Sequence, residues 1–218
     1  MNGIIVLNLR DFMPQQARRS ICLAAERWEA GYQEITFPLA DIHHFWQKTL
    51  IPTSHYAAPY DRVLVLDGDI LIGSDCHNLF AIVPETHFGV VSRHQPHHPV
   101  AYVGRRESRL FGVPAYPDES KHLNGGLILY HRTLHANVLR RWKEAGEYCQ
   151  FRNVGRADQG ALSCVLHQMR TPVTWLPWQY NALHSQRLRR PAYVYHFNQR
   201  GRHSVAELMA ACKQENIP

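Results

Sequence analysis

The apolar run Val63-Leu64-Val65-Leu66 stops at Asp67-Gly68-Asp69 and resumes as Ile70-Leu71-Ile72. The β-branched and leucine residues predict a buried strand that ends on the first aspartate. Two carboxylates one residue apart then stand at the C-terminal end of that strand, the edge where open α/β sheets bind ligands. Hard oxygen donors at such a place suit Mg²⁺ or Mn²⁺, and a divalent ion there suits a phosphate-bearing ligand. Asp-Gly is also a common turn dipeptide, so the tripeptide by itself fits a structural turn equally well. The rest of the chain has to decide.

Around this strand the pattern alternates between the two periods. Residues 4–9 read as a first strand. A helix is expected over 14–30, with Pro14 in its first turn and Gly31 stopping it. Within it, Ile21, Ala24, Ala25 and Trp28 recur at helical spacing. A short strand over 34–37 follows, then a helix with Asp41 as N-cap carrying Phe45, Trp46, Leu50 and Ile51. Further strands are expected over 61–66, 87–92, 127–130, 173–176 and 193–197. Further helices are expected over 133–148, 158–165 and 204–213. Strands alternating with helices give an α/β domain. At 218 residues one domain, 1–218, is expected. Residues 93–120 are rich in Pro, His and Arg and lack periodicity, so they read as a long loop and a candidate lid.

Composition narrows the class. Hydrophobic residues make up 45% and charged ones 19%, as in a folded protein rather than a disordered one. No apolar stretch reaches the length of a membrane span. Met1-Asn2-Gly3 runs straight into Ile4 without the basic region of a signal peptide, so a cytoplasmic protein is expected. The five cysteines are scattered and include no CxxC pair, which predicts reduced thiols. The net charge of +6 favours phosphate-rich partners such as a nucleotide-sugar, anionic headgroups or nucleic acid, although a solvated basic surface is the plainer reading.

Four segments carry the chemistry. They are Tyr60 through Ile72 with Asn78-Leu79-Phe80; His122-Leu123-Asn124-Gly125-Gly126 with the strand after it; Ala157-Asp158-Gln159-Gly160; and Leu176-Pro177-Trp178-Gln179-Tyr180-Asn181 followed by Tyr195-His196-Phe197 and Arg202. Their order and spacing resemble the family 8 glycosyltransferases, the retaining GT-A enzymes that include glycogenin and bacterial lipooligosaccharide galactosyltransferases. Lys48-Thr49-Leu50-Ile51-Pro52 is similar to that family's basic-x-x-Ile-Pro element. The resemblance spans Ile4 to Arg202. It implies the GT-A (nucleotide-diphospho-sugar transferase) fold, a Rossmann-like mixed central sheet flanked by helices.

The resemblance also implies roles. Asp67 and Asp69 match the carboxylates that hold Mn²⁺ (or Mg²⁺) against the diphosphate of a UDP-sugar, and His196 matches the third metal ligand. Arg202 falls where the family has a lysine on the diphosphate; its guanidinium presents a fork rather than a point charge. Asn124 and Gly125 match the element lining the donor sugar. Lys48 matches a basic residue near the donor. Asn8 and Phe12 lie where the first strand meets the nucleobase. Asp158 would grip a sugar hydroxyl and Gln159 would sit beside the anomeric carbon, whereas Gly160 replaces the family's second aspartate. A divalent ion and cationic side chains would neutralise the leaving diphosphate.

Taken singly, each residue has a plainer reading. His196 fits a satisfied strand histidine, Asn124-Gly125-Gly126 a turn, Asp158 an N-cap, and Lys48 and Arg202 solvated charges. Trp142, Trp175 and Trp178 read as core or acceptor-cleft aromatics, with core the plainer reading. Their joint occurrence in order argues for a transferase. Two other classes stay open: a haloacid-dehalogenase-like phosphohydrolase using Asp67 and Asp69, which lacks the later acidic motif, and a basic nucleic-acid-binding domain, for which no recognition signature is present. The acceptor is open among a glycan, a lipopolysaccharide core, a protein and a modified nucleic acid. With no transmembrane segment expected, the Arg187–Arg190 patch is a candidate for peripheral membrane contact.

Overall fold

The computed structural model describes residues 1–9, 13–92, 122–151, 158–183 and 192–197. Phe12, Arg202, the 93–120 segment, the 187–190 patch and the 204–213 helix lie outside them. In chain order the elements are β1 (Asn2–Leu7), α1 (Gln15–Arg27), β2 (Gly31–Ile35), a 3₁₀ helix (His44–Thr53), β3 (Arg62–Asp67), β4 (Ile70–Ile72), α2 (Leu79–Ile82), β5 (Phe88–Ser92) and β6 (Leu123–His131). There follow α3 (Ala136–Phe151), α4 (Asp158–Gln168), β7 (Val173–Leu176), a 3₁₀ turn (Trp178–Asn181), β8 (Ala182–Leu183) and β9 (Val194–His196).

Among the described residues, six strands form a mixed sheet in the order β2-β1-β3-β6-β5-β7. β1 pairs in parallel with both β2 and β3, and β5 with β7, while β6 is antiparallel to both of its neighbours. The reversal of β6 has a direct consequence. Its N-terminal residues Asn124 and Gly125 arrive at the same sheet edge as the C-terminal ends of β1, β2 and β3.

The edge is shaped by a bulge in β6. Val90 pairs with Ile128, but the next residue, Val91, pairs with Asn124. Leu127 still pairs with Leu66 of β3, so Gly125 and Gly126 swing out of both ladders. Bulges of this kind re-aim backbone beside functional sites.

The period-two pattern splits the core into two layers. Ile4, Val6, Leu64 and Leu66 face α1, α2 and β4, whereas Ile5, Leu7, Val63 and Val65 face the long 3₁₀ helix, α3 and α4. A second sheet, β4-β9-β8, lies in the first layer. β4 and β9 are antiparallel, with Ile70 opposite His196. This small sheet is what carries His196 back to the Asp67-Gly68-Asp69 turn.

Several local expectations are corrected. α1 ends at Arg27, where Glu29 takes a left-handed φ of 52° and the Ala30 N–H returns to the Ala25 carbonyl. Gly31 therefore does not stop the helix but opens β2, two residues beyond that turn. It is glycine because a Cβ there would lie 2.4 Å from the Tyr60 hydroxyl. The strand expected over 34–37 runs instead over Gly31–Ile35, leaving Phe37 exposed. The helix expected from Asp41 is a 3₁₀ helix that starts at His44 with His43 as its cap. Gln47 explains the later start. Its side chain accepts from Leu39 N–H and donates to the carbonyls of Ala40 and Ile42, which holds 39–42 as a loop. Trp142 is core, as expected, while Trp175 and Trp178 are only partly buried against it.

Candidate active site

Asp67 closes β3, and the turn after it packs on the end of β1. A Cβ on Gly68 would stand 3.1 Å from Asn8 Cα, a tight contact that glycine relieves where the turn meets β1. Asp69 is buried rather than exposed as a turn residue usually is. The Phe197 N–H donates to the Asp69 carbonyl, locking β9 against the turn. His196 Nε2 then lies 3.3 Å from Asp69 Oδ1 and 3.7 Å from Asp67 Oδ2. One ligand atom from each of the three residues falls within 4.8 Å of the other two.

This donor set fits a divalent ion. Two carboxylates and an imidazole nitrogen converge on one point, and such a mixed oxygen/nitrogen set leans toward Mn²⁺ over Mg²⁺. Burial works against the charged form of His196, but Asp69 and Asp67 together still hold its pKa above the usual histidine value. A cation is wanted there, whether a proton or a metal.

Lys48 supplies a second positive charge. Its ammonium is buried, 2.6 Å from Asp67 Oδ1 and 2.7 Å from the Gly125 carbonyl. Burial opposes its charge, yet Asp67, Asp158 and Asp69 together keep its pKa above the ordinary lysine value. The 3₁₀ helix positions it: Trp46 and Thr49 face Gly146 of α3, which leaves Lys48 on another face of the helix.

Gly125 is gripped from both sides. Its carbonyl accepts from Lys48, and its N–H donates to Gln159 Oε1 at 3.0 Å. Gln159 and Asp158 open α4, which Trp142 pins by donating from Nε1 to the Asp158 carbonyl. Ser163 pins the same helix to β6 by accepting the Leu123 N–H. Burial pushes Asp158 up to about 6, with Lys48 pulling the other way. Because the backbone N–H fixes the oxygen of Gln159, its amide nitrogen is the end turned away from Gly125.

Two residues expected to bind the donor also hold groups of the protein. Asn124 Oδ1 accepts from the Gly126 N–H at 2.8 Å and from Asn181 Nδ2 at 2.9 Å. Asn8 Nδ2 donates to Glu34, whose carboxylate also accepts from Arg18 and Tyr32. Arg18 above all holds the Glu34 carboxyl down to about 2. The structure thus brings Asn8, Lys48, Asp67, Asp69, Asn124, Gly125, Asp158, Gln159 and His196 to one sheet edge. Sequence reasoning gave no role to Asn181 or Glu34. Asn181 stood in a quoted segment, but only folding shows it against His196, 2.9 Å from Nδ1.

No protein-family model matches the sequence, and no curated protein matches it significantly. Solved structures do match the fold. A glycosyltransferase involved in glycosylation of the major capsid of PBCV-1 superposes with a TM-score of 0.67 over 96% of this chain and 98% of that one, at 12% identity. The apo form of the glycosyltransferase GlyE of Streptococcus pneumoniae TIGR4 gives 0.60 over 100% and 61%, at 15% identity. Apo WbbM, a bifunctional glycosyltransferase, gives 0.57 over 91% and 46%, at 12% identity. The chain therefore spans less than two thirds of these last two proteins. Its fold is that of glycosyltransferases: a mixed, mostly parallel sheet flanked by helices.

Proposed function

We propose that this chain is a metal-dependent glycosyltransferase that moves a hexose from a UDP-sugar to an acceptor with retention, in the manner of family 8. The observation that carries the reading is the convergence of Asp67, Asp69 and His196 at the ligand edge of a glycosyltransferase fold. A whole-chain domain, 1–218, is part of the same reading.

Asp67, Asp69 and His196 would hold Mn²⁺, which supplies charge neutralisation to the leaving diphosphate when bound. Lys48 would add a fixed positive charge beside the same phosphates, already desolvated and aimed. Gly125, held by Lys48 and Gln159, would form the wall against the donor sugar. Asp158 would accept a hydrogen bond from a sugar hydroxyl, and the Gln159 amide nitrogen would face the anomeric carbon. We place Phe12 and Arg202 at the nucleobase and the diphosphate on the resemblance alone. No carboxylate is assigned as nucleophile, so front-face substitution assisted by the departing diphosphate is the proposed course.

The acceptor stays within the classes named above. No helix among the described residues is long and apolar enough to cross a membrane. Operation in the cytoplasm is proposed from the thiols, since neither Cys22 nor Cys76 is in a disulfide. A phosphohydrolase is not favoured, because the fold matches glycosyltransferases and His196 joins the two carboxylates.

The test is a screen of nucleotide-sugars for slow hydrolysis with and without Mn²⁺, which needs no acceptor. Release of UDP from one donor only when the metal is present is the expected result. Metal-independent release, or release of phosphate from simple monoesters, would overturn the reading.

A further inference from the structure

The hydrogen bonds behind His196 form a chain whose polarity can be read link by link. It starts at the Gly126 N–H, a backbone group that can only donate. The atom of Asn124 that meets it, at 2.8 Å, is therefore the carbonyl oxygen. Asn181 approaches that same oxygen at 2.9 Å, so the group it presents is its amide NH₂. The other end of Asn181 is then its oxygen, and it lies 2.9 Å from His196 Nδ1. An oxygen cannot donate, so Nδ1 must carry a hydrogen. In the neutral ring that leaves Nε2 with its lone pair, facing Asp67 and Asp69.

Every member of the chain is buried: Asn124 is 5% exposed, Asn181 0% and His196 3%. No member can be inverted cheaply, since turning either amide would set two donors or two acceptors together out of water. Gly126 sets the ring's place as well as its polarity, because a Cβ there would stand 2.3 Å from His196 Cε1.

We propose that Asn181 is a positioning residue of the metal site. It holds His196 as the Nδ1–H tautomer with Nε2 aimed at the carboxylate pair, and it takes its own orientation from the Gly126 peptide through Asn124. The proposal rests on the metal reading of Asp67, Asp69 and His196. It reassigns Asn124, whose oxygen serves this chain rather than the donor sugar. The partner of the imidazole is a neutral amide rather than a carboxylate. It orients the ring without adding a charge that would bind the ion more tightly.

Tautomer and metal affinity are separate readouts. Long-range ¹⁵N–¹H correlation on the metal-free chain, at alkaline pH where the ring is neutral, reads the tautomer directly. Calorimetry with Mn²⁺ alone reads affinity. The wild type should show Nδ1–H. Asn181→Leu should lose that preference and bind Mn²⁺ about 10–100-fold more weakly. Asn181→Asp keeps an acceptor for Nδ1, so it should retain the tautomer, while its second oxygen, set against Asn124 Oδ1 in place of a donor, should lower stability. A folded Asn181→Leu protein with wild-type tautomer and affinity would overturn the proposal. So would an Nε2–H ring in the wild type, a result that needs no variant to fold. Failure of the wild type to bind Mn²⁺ while Nδ1–H is seen would instead overturn the metal reading, and with it the metal role of Asn181.

Discussion

The Lys48 ammonium sits 2.6 Å from Oδ1 of Asp67, on the side of that carboxylate away from His196. One aspartate thus faces a permanent cation on one oxygen and a candidate metal position on the other. Lys48 should repel an ion bound without its phosphates and welcome one bound with them. Lys48→Met is expected to tighten Mn²⁺ binding several-fold in the absence of donor. It should also weaken UDP binding in the presence of Mn²⁺ by about ten-fold or more, roughly 1.4 kcal/mol. Two calorimetric titrations check the pair of opposite signs; parallel changes would sink the idea.

Asp69 gives a cleaner test of the metal. At an Mn²⁺ concentration one hundred times Kd, the wild type should gain about 2.7 kcal/mol of stability. Asp69→Asn should fold and lose that gain, because an amide oxygen carries no charge for the ion. The Mn²⁺-dependent increment in UDP binding should vanish with it. Thermal denaturation with and without metal reads both proteins; an undiminished Tm rise in the variant would contradict the assignment.

Gln159 has two ends with two jobs. Its oxygen holds the Gly125 N–H, and its nitrogen is proposed to face the anomeric carbon. Gln159→Glu keeps the first and removes the second, whereas Gln159→Ala removes both. If the nitrogen acts in the transition state, both variants should lower kcat by about 10–100-fold. Only the alanine variant should also raise the KM for donor. A glutamate variant with near-normal kcat would reduce Gln159 to a clamp for Gly125.

Glu34 makes the fold sensitive to acid. Its pKa lies near 2, against an ordinary value of 4.5, chiefly because Arg18 bonds to it. A depressed carboxylate stabilises the native state above its unfolded pKa, and this stabilisation is lost as pH falls from 4.5 toward about 2. Arg18 is partly exposed, so Arg18→Leu should cost only about 1 kcal/mol near neutral pH. It should also flatten the acid limb between those two values. Urea midpoints across that range measure it, and an unchanged limb would count against Glu34 as the group responsible.

Much of this architecture was legible because its signals are local. Val63 to Leu66 ends on Asp67 in a way that only a strand edge explains, and α4 opens on Asp158 as expected. The misread parts depend on distant partners. Gly31 looks like a helix stop until the Tyr60 ring is placed over it. Asp41 looks like an N-cap until the Gln47 side chain claims the loop around it. His196 stands out only through a family pattern, because the pairing with β4 that delivers it involves three residues on each side, too few to show a period. Asn181 had no signal of its own, since an asparagine at the end of a turn is ordinary in sequence and becomes informative only against an imidazole.

The bulge at Gly125 and Gly126 separates two demands that usually conflict. Ile128 to Tyr130 answer to the core, and slipping their register by one residue would turn every side chain to the wrong face. The two glycines pair with neither neighbour, so a change of length there need not travel down the strand. The rim of the candidate site is thus set by two residues outside the ladders, while the sheet beneath keeps its pairing.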